Sequence, residues 1–122
     1  MARVLVVDDE PIYCQNLEFA LQRQGHEVRT TSSSEQAFSI AREFHPDLLI
    51  VDWLLKTTHD GVEVSEILGQ AHPMLKTILI TGYPADELQS HDRPLSVVRI
   101  LEKPFSLTAI TELVCEVLQS QD

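Results

Sequence analysis

Short apolar runs alternate along the chain with longer segments whose apolar positions recur every three or four residues. The runs at 4–7, 27–31, 48–51, 77–81 and 97–101 predict five strands. Leu48-Leu49-Ile50-Val51 shows no polar alternation, as expected of a strand buried on both faces of a sheet covered by helices. The segments between the runs predict helices. The first follows Asp8, Asp9, Glu10 and Pro11 and extends to about residue 24, with Tyr13, Leu17, Ala20 and Leu21 on one face and Gly25 as its stop. Ser32, Ser33 and Ser34 precede the second, where Ser32 with Glu35 and Ser33 with Gln36 each fit a capping box. Its buried stripe is Ala37, Phe38, Ala41 and Phe44, and Pro46 ends it by disfavouring helical geometry in the residue before.

Asp60-Gly61 opens a third helix carrying Val62, Val64, Ile67, Leu68 and Ala71. A short fourth is expected at about residues 85–91, limited by Pro84 and Pro94, and a fifth carries Leu107, Ile110, Val114, Val117 and Leu118. Strand and helix in alternation imply parallel pairing through right-handed crossovers. The expected fold class is therefore α/β: a doubly wound, flavodoxin-like five-stranded parallel sheet in the order 2-1-3-4-5, with helices on both faces. Residues 1–119 read as one domain and residues 120–122 as a tail.

Charge narrows the function. Nineteen acidic residues against nine basic ones give a net charge of −10. Such a field repels phosphate, which argues against direct binding to nucleic acid or to an anionic membrane and favours cationic partners or metal ions. The apolar run after Arg3 is too short for a signal peptide, and no stretch approaches the roughly 18 apolar residues of a membrane span. With Cys14 and Cys115 as the cysteines and no export signal, a cytoplasmic protein with free thiols is expected, both cysteines lying in the core or at its boundary.

Four of the five predicted strands end in a side chain able to do chemistry: Asp8 and Asp9 after the first, Asp52 on the third, Thr81 on the fourth and Lys103 after the fifth. Singly, each has an ordinary explanation. Asp8 or Asp9 would cap the first helix, Thr81 would be a turn hydroxyl, and Lys103 a solvated charge before an N1 proline. The order 2-1-3-4-5 sets strand 1 beside strand 3 and strand 3 beside strand 4, about 4.8 Å apart, at the carboxyl edge where open α/β sheets bind ligands. Three carboxylates so close raise at least one pKa or disfavour the fold unless a cation lies among them. A hard divalent ion such as Mg2+, which takes oxygen ligands and keeps several waters, meets that need. His26, His45, His59, His72 and His91 lack the ligand spacing of a zinc site. A carboxylate beside magnesium, flanked by a hydroxyl and an ammonium, is suited to accept a phosphoryl group, with Asp52 as the nucleophile.

Val-Asp-Asp-Glu at 7–10, Leu-Ile-Val-Asp-Trp at 49–53, Asp60-Gly61, Thr81-Gly82 and Lys103-Pro104-Phe105 stand in the order and spacing of receiver domains of two-component response regulators. The chain resembles that family over essentially its whole length. The resemblance implies Mg2+-dependent phosphorylation of Asp52 by a phosphohistidine donor, either a histidine kinase or a histidine phosphotransfer domain, or slowly by small phosphodonors. It implies that Asp9 ligates the metal directly, Asp8 largely through water, and the main-chain carbonyl of Leu54 completes the protein ligands. Thr81 and Lys103 would contact the phosphoryl oxygens, and the Lys103–Pro104 bond would be cis. Such a domain is not an enzyme in the usual sense but assists its own phosphorylation and dephosphorylation. Its switch surface would be the fourth helix, fifth strand and fifth helix, a candidate homodimer interface and the route to an output domain or protein.

Three departures bear on the switch and on phosphoryl lifetime. Ile100 stands where such domains often carry a tyrosine or phenylalanine that swings inward with Thr81. The loop from Asp52 to Gly61 is one residue longer than usual, with Lys56 near a common proline position. Leu54 and Tyr83 border the path of attacking water, where bulk would slow loss of the phosphoryl group. Two other readings share parts of this pattern. A receiver-like docking module that is never phosphorylated usually lacks an acid, the threonine or the lysine, all present here. A magnesium-dependent phosphatase of the haloacid dehalogenase type requires a second aspartate two residues after the nucleophile, where this chain has Leu54.

Overall fold

The computed structural model describes residues 1–82 and 96–119. All five predicted strands are found, close to their expected ends: β1 (Arg3–Val7), β2 (Glu27–Thr31), β3 (Leu48–Asp52), β4 (Lys76–Thr81) and β5 (Val97–Glu102). They pair in parallel in the order β2-β1-β3-β4-β5, as expected. Four helices lie among the described residues: α1 (Pro11–Arg23), α2 (Ser34–Phe44), α3 (Gly61–Ala71) and α4 (Leu107–Gln119). The last of these is the helix expected as the fifth. The helix expected at residues 85–91, Tyr83 and the tail at 120–122 lie outside the described residues.

Because successive strand side chains point to opposite faces, each apolar run fills two cores at once. Val4, Val6, Leu48, Ile50, Ile78 and Ile80 face one way and pack with Leu17 and Leu21 of α1 and Ile110, Val114 and Val117 of α4. Leu5, Val7, Leu49, Val51 and Leu79 face the other way and meet Ala37 and Ala41 of α2 and Val64 and Leu68 of α3. This is why runs such as Leu48-Leu49-Ile50-Val51 carry no polar alternation: neither face is wet.

The helix ends follow the local chemistry with two adjustments. Ser33 caps α2 by accepting from the Gln36 N–H at 3.2 Å, but the reciprocal half of the box is absent because Gln36 Oε1 accepts from the Thr31 hydroxyl at 2.6 Å. Before Pro46, His45 leaves the helix in the left-handed region, φ 52°, and its N–H still reaches the Ala41 carbonyl. Some expected stripe residues are outside. Leu107, in the first turn of α4 ahead of Ile110, is exposed, as is Ile67, which falls on the flank of the line Val64, Ser65 and Leu68. Ala71 at the end of α3 and Cys115 on the outer side of α4 are exposed too.

One glycine holds β3 and α3 together. Asp60 and Glu63 form a full capping box, and the Gly61 N–H donates to the Trp53 carbonyl at 3.0 Å. A Cβ at Gly61 would collide with the main-chain carbonyl of Asp52. Gly61→Ala is therefore expected to destabilise the fold by about 2 kcal/mol or more, since backbone must shift to make room. Urea denaturation checks this, and an unchanged midpoint would contradict the close approach.

Candidate functional site

Parallel pairing carries every strand end to the same edge. Val7 pairs with Val51, so Asp8, one residue past β1, stands beside Asp52, the last residue of β3. Asp52 in turn pairs with Ile80, and Thr81 with Glu102. Main-chain bonds continue the ladder past the strand ends: the Asp8 N–H donates to Thr31 at 3.1 Å, the Trp53 N–H to Ile80 at 2.7 Å and the Lys103 N–H to Thr81 at 2.7 Å. Above this edge lies an open cleft of about 440 Å³, lined by Asp9, Glu10, Asp52, Leu54, Lys56 and Lys103, with Gly82 at its side.

At the floor of the cleft the Lys103 ammonium gathers the acids. Its side chain is 10% exposed, and Nζ lies 2.7 Å from Glu10 Oε1, 3.2 Å from Asp8 Oδ2 and 3.5 Å from Asp52 Oδ2. Burial works against the charge on Lys103, yet the Glu10 hydrogen bond and the fields of Asp8 and Asp52 outweigh it and hold the ammonium above its ordinary pKa. For the acids the balance goes the other way. Burial raises the Asp8 carboxyl against the opposing pull of the Glu10 N–H and Lys103, and Asp52 adds to the rise. Burial likewise raises Asp52, opposed by Lys103 and the Leu54 N–H and reinforced by Asp9. Nearby, the Cys14 thiol points at the Asp8 carbonyl, 3.2 Å away, and burial with the Asp8 charge pushes it up to about 11, so it remains a neutral thiol.

The acids after β1 are not helix caps. Glu10 occupies the N-cap of α1 without a side-chain cap bond, and Asp8 Oδ1 instead accepts from the Glu10 N–H at 2.9 Å while Asp8 Oδ2 faces Lys103. Asp9 is half-buried and accepts from the Lys56 N–H at 3.3 Å, so the extended loop after Asp52 folds back against the first acid pair. That loop is also tied to α2: the Ser34 N–H donates to Thr57 Oγ1, and the His59 N–H to the buried Ser34 hydroxyl, each at 3.3 Å. Leu54 stands at the cleft mouth, 44% exposed. Thr81 is fully buried at the end of β4. Ile100, partly buried, pairs with Leu79 and packs on the α2 and α3 side of the sheet. The Lys103–Pro104 bond is cis, as the resemblance implied.

Two residues have a place here that their sequence positions did not announce. Glu10 sits in the acid run without an assigned role, yet it makes the shortest contact to Lys103. Tyr13, read as part of the apolar stripe of the first helix, lays its ring 4.0 Å from the same ammonium. Adjacency to the two aspartates was the available signal for Glu10. For Tyr13, two residues past Pro11, there was none without knowing where Lys103 falls.

The donor set fits a hard cation. One oxygen from each of Asp8, Glu10 and Asp52 lies within 4.8 Å of the others. Asp8 Oδ2 is buried, has the Lys103 ammonium as an ion-pair partner and makes no aligned hydrogen bond, so it is a carboxylate oxygen with capacity to spare. An all-oxygen set of this kind matches the ligand preference of Mg2+. Glu10, rather than Asp9, completes the cluster, because the Asp9 carboxylate is drawn aside to Lys56.

This architecture is shared with known proteins. Residues 4–115 match the family described as the response regulator receiver domain. The alkaline phosphatase synthesis transcriptional regulatory protein PhoP of Bacillus subtilis is 30% identical over 120 residues, covering 98% of this chain and 50% of that protein. The nitrogen assimilation regulatory protein NtrX of Azorhizobium caulinodans is 29% identical over 120 residues, covering 95% of this chain and 26% of its own length. This chain thus spans half or less of these relatives. In three dimensions, the crystal structure of the receiver domain of NtrX from Brucella abortus superposes with a TM-score of 0.85 at 24% identity, covering 97% of this chain and 99% of that one. A sequence match running from β1 into α4, on a sheet whose order and edge chemistry agree with it, places the chain in the response regulator receiver domain family.

Proposed function

We propose that Asp52 is the phosphoacceptor of this receiver domain, that the domain comprises residues 1–119, and that residues 120–122 are a tail. The observation that carries the reading is the nearly buried Lys103 ammonium bridging Asp8 and Asp52 at the floor of an open cleft. A carboxylate oxygen of Asp52 attacks the phosphorus of a phosphohistidine in line. An O–P bond forms as the N–P bond breaks, and the imidazole leaves with the electron pair and takes up a proton. Lys103 and the Thr81 hydroxyl supply positive charge and a hydrogen bond to the phosphoryl oxygens as the group transfers. Asp8, Asp9 and Asp52, with the Leu54 main-chain carbonyl and with Glu10 beside them in the acid cluster, would hold Mg2+, which would neutralise charge on the phosphoryl group.

The donor class is a histidine kinase or histidine phosphotransfer domain in a cytoplasmic setting; among the described residues no helix is long and apolar enough to cross a membrane. Signal leaves through Thr81 and the face that includes β5 and α4, toward an output domain or protein or a second copy of this chain. Ile100 supports a switch of small amplitude, because an isoleucine packed on the sheet has no ring to move between inward and outward positions. Leu54 at the cleft mouth would shield the acyl phosphate from water. The reading as an unphosphorylated docking module is not favoured, since the acids, Thr81 and Lys103 all stand at the site.

Three outcomes are expected. Acetyl phosphate with Mg2+ adds one phosphoryl group to the wild type by intact mass and none to Asp52→Asn; an unmodified wild type under both small-donor and kinase conditions would favour the docking module. Leu54→Ala shortens the phosphoryl lifetime by about three- to tenfold, a loss of shielding on the order of 1 kcal/mol, followed by the decay of the mass shift. The third concerns pH. Asp52 is raised above its ordinary value of 3.8 in the folded chain, so the folded state holds a proton that the unfolded state has released. Wild-type stability therefore falls as pH rises from that value through the raised one, whereas Asp52→Asn does not titrate there. The variant gains relative to the wild type at about pH 7, and the gain shrinks toward about pH 4, as urea midpoints at the two pH values would show.

A further inference from the structure

Tyr13 forms a wall of the lysine site to which the phosphoacceptor reading gives no role. It stands in the first turn of α1, half-buried, with its ring centroid 4.0 Å from Lys103 Nζ. That is well inside the roughly 6 Å at which a ring face attracts an ammonium. Phe105 packs on the same ring, centroids 5.5 Å apart and planes tilted by 45°, and is itself packed against the α1 and α4 core. The ring is thus packed against Phe105 and also meets the ammonium. Ordinary packing accounts for the contact with Phe105. It does not account for an ammonium seated on a ring.

The other neighbours show why a wall is needed. Lysine carries its charge on a flexible four-carbon stem, and its three N–H bonds take whichever acceptors are nearest. The nearest is Glu10 at 2.7 Å, whose side chain is 54% exposed, whereas Asp52 is 3.5 Å away and nearly buried. Glu10 alone would draw the ammonium outward, away from the group it must serve. A ring face against the ammonium adds an attraction that does not depend on hydrogen bonding and narrows the swing of the stem.

We propose that Tyr13 is a positioning residue, its ring face holding the Lys103 ammonium at the acid cluster beside Asp52. This rests on the reading of Asp52 as phosphoacceptor and of Lys103 as its phosphoryl contact. The hydroxyl of Tyr13 is not required, so Tyr13→Phe preserves the device, whereas Tyr13→Leu keeps apolar bulk but removes the face.

Two measurements on the full chain test it. The first, without magnesium, is the NMR position of the Lys103 ε-methylene. Ring-current shielding moves it upfield in the wild type and Tyr13→Phe, and Tyr13→Leu returns it toward the position of a solvated lysine. The second is the rate of phosphorylation by acetyl phosphate with Mg2+, followed by intact mass. Tyr13→Phe keeps the wild-type rate and Tyr13→Leu loses about five- to tenfold, the strength of a partly desolvated cation–π contact. An unshifted ε-methylene in the wild type overturns the proposal without any variant. So does a Tyr13→Leu protein that reacts at the wild-type rate, or a Tyr13→Phe protein as slow as Tyr13→Leu. A wild type that takes up no phosphoryl group, or takes it up elsewhere than Asp52, instead refutes the phosphoacceptor reading, and the methylene shift still decides whether the ring holds the lysine.

Discussion

The edge of the sheet depends on one ammonium. Asp8 and Asp52 are almost without solvent, and burial raises both carboxyls. Lys103, reached from the far end of the chain, is the cation that makes their proximity tolerable. Such an arrangement is not a source of net stability, because desolvating the charges costs about as much as their attraction returns. Its value lies in what it leaves unsatisfied. An oxygen of Asp8 without an aligned hydrogen bond and a lysine shared among three acids form a site that a divalent cation and a phosphoryl group would complete.

The rest of the fold serves to bring these groups together. Residues 8, 52 and 103 are far apart in sequence and meet because β1, β3, β4 and β5 run parallel and end at one edge. Gly61 permits α3 to start directly on the Asp52 and Trp53 backbone, which ties the end of β3 to the helix. The extra length of the following loop is taken up by specific bonds, Lys56 to Asp9 and Thr57 with His59 to Ser34, rather than left as slack. Through Leu54 and Lys56 the loop contributes to the lining of the cleft.

The departures from the usual receiver pattern fall on the response to phosphorylation rather than on its chemistry. The acids, Thr81 and Lys103 are in place, while Ile100 lies packed against the sheet where a mobile ring is common and Leu54 narrows access to Asp52.

Sequence alone determined the strands, their parallel order and the end at which chemistry would lie, because unbroken apolar runs such as Leu48-Leu49-Ile50-Val51 have one stable solution: burial on both faces between helices. It also singled out Asp8, Asp9, Asp52, Thr81 and Lys103, whose types and spacing carry a recognisable chemistry. It misplaced Leu107, Ile67 and Ala71 on buried stripes, since helical periodicity says which side is apolar but not how far the neighbouring element reaches. It did not reveal that Asp9 turns to Lys56, that Glu10 joins the cluster, or that Tyr13 seats the ammonium. Those are decisions of tertiary structure. Periodicity and spacing act along the chain, whereas the partner of a charge is set by which groups the fold leaves within a few ångströms of it, and that is known only once Lys103 has been carried back to β1.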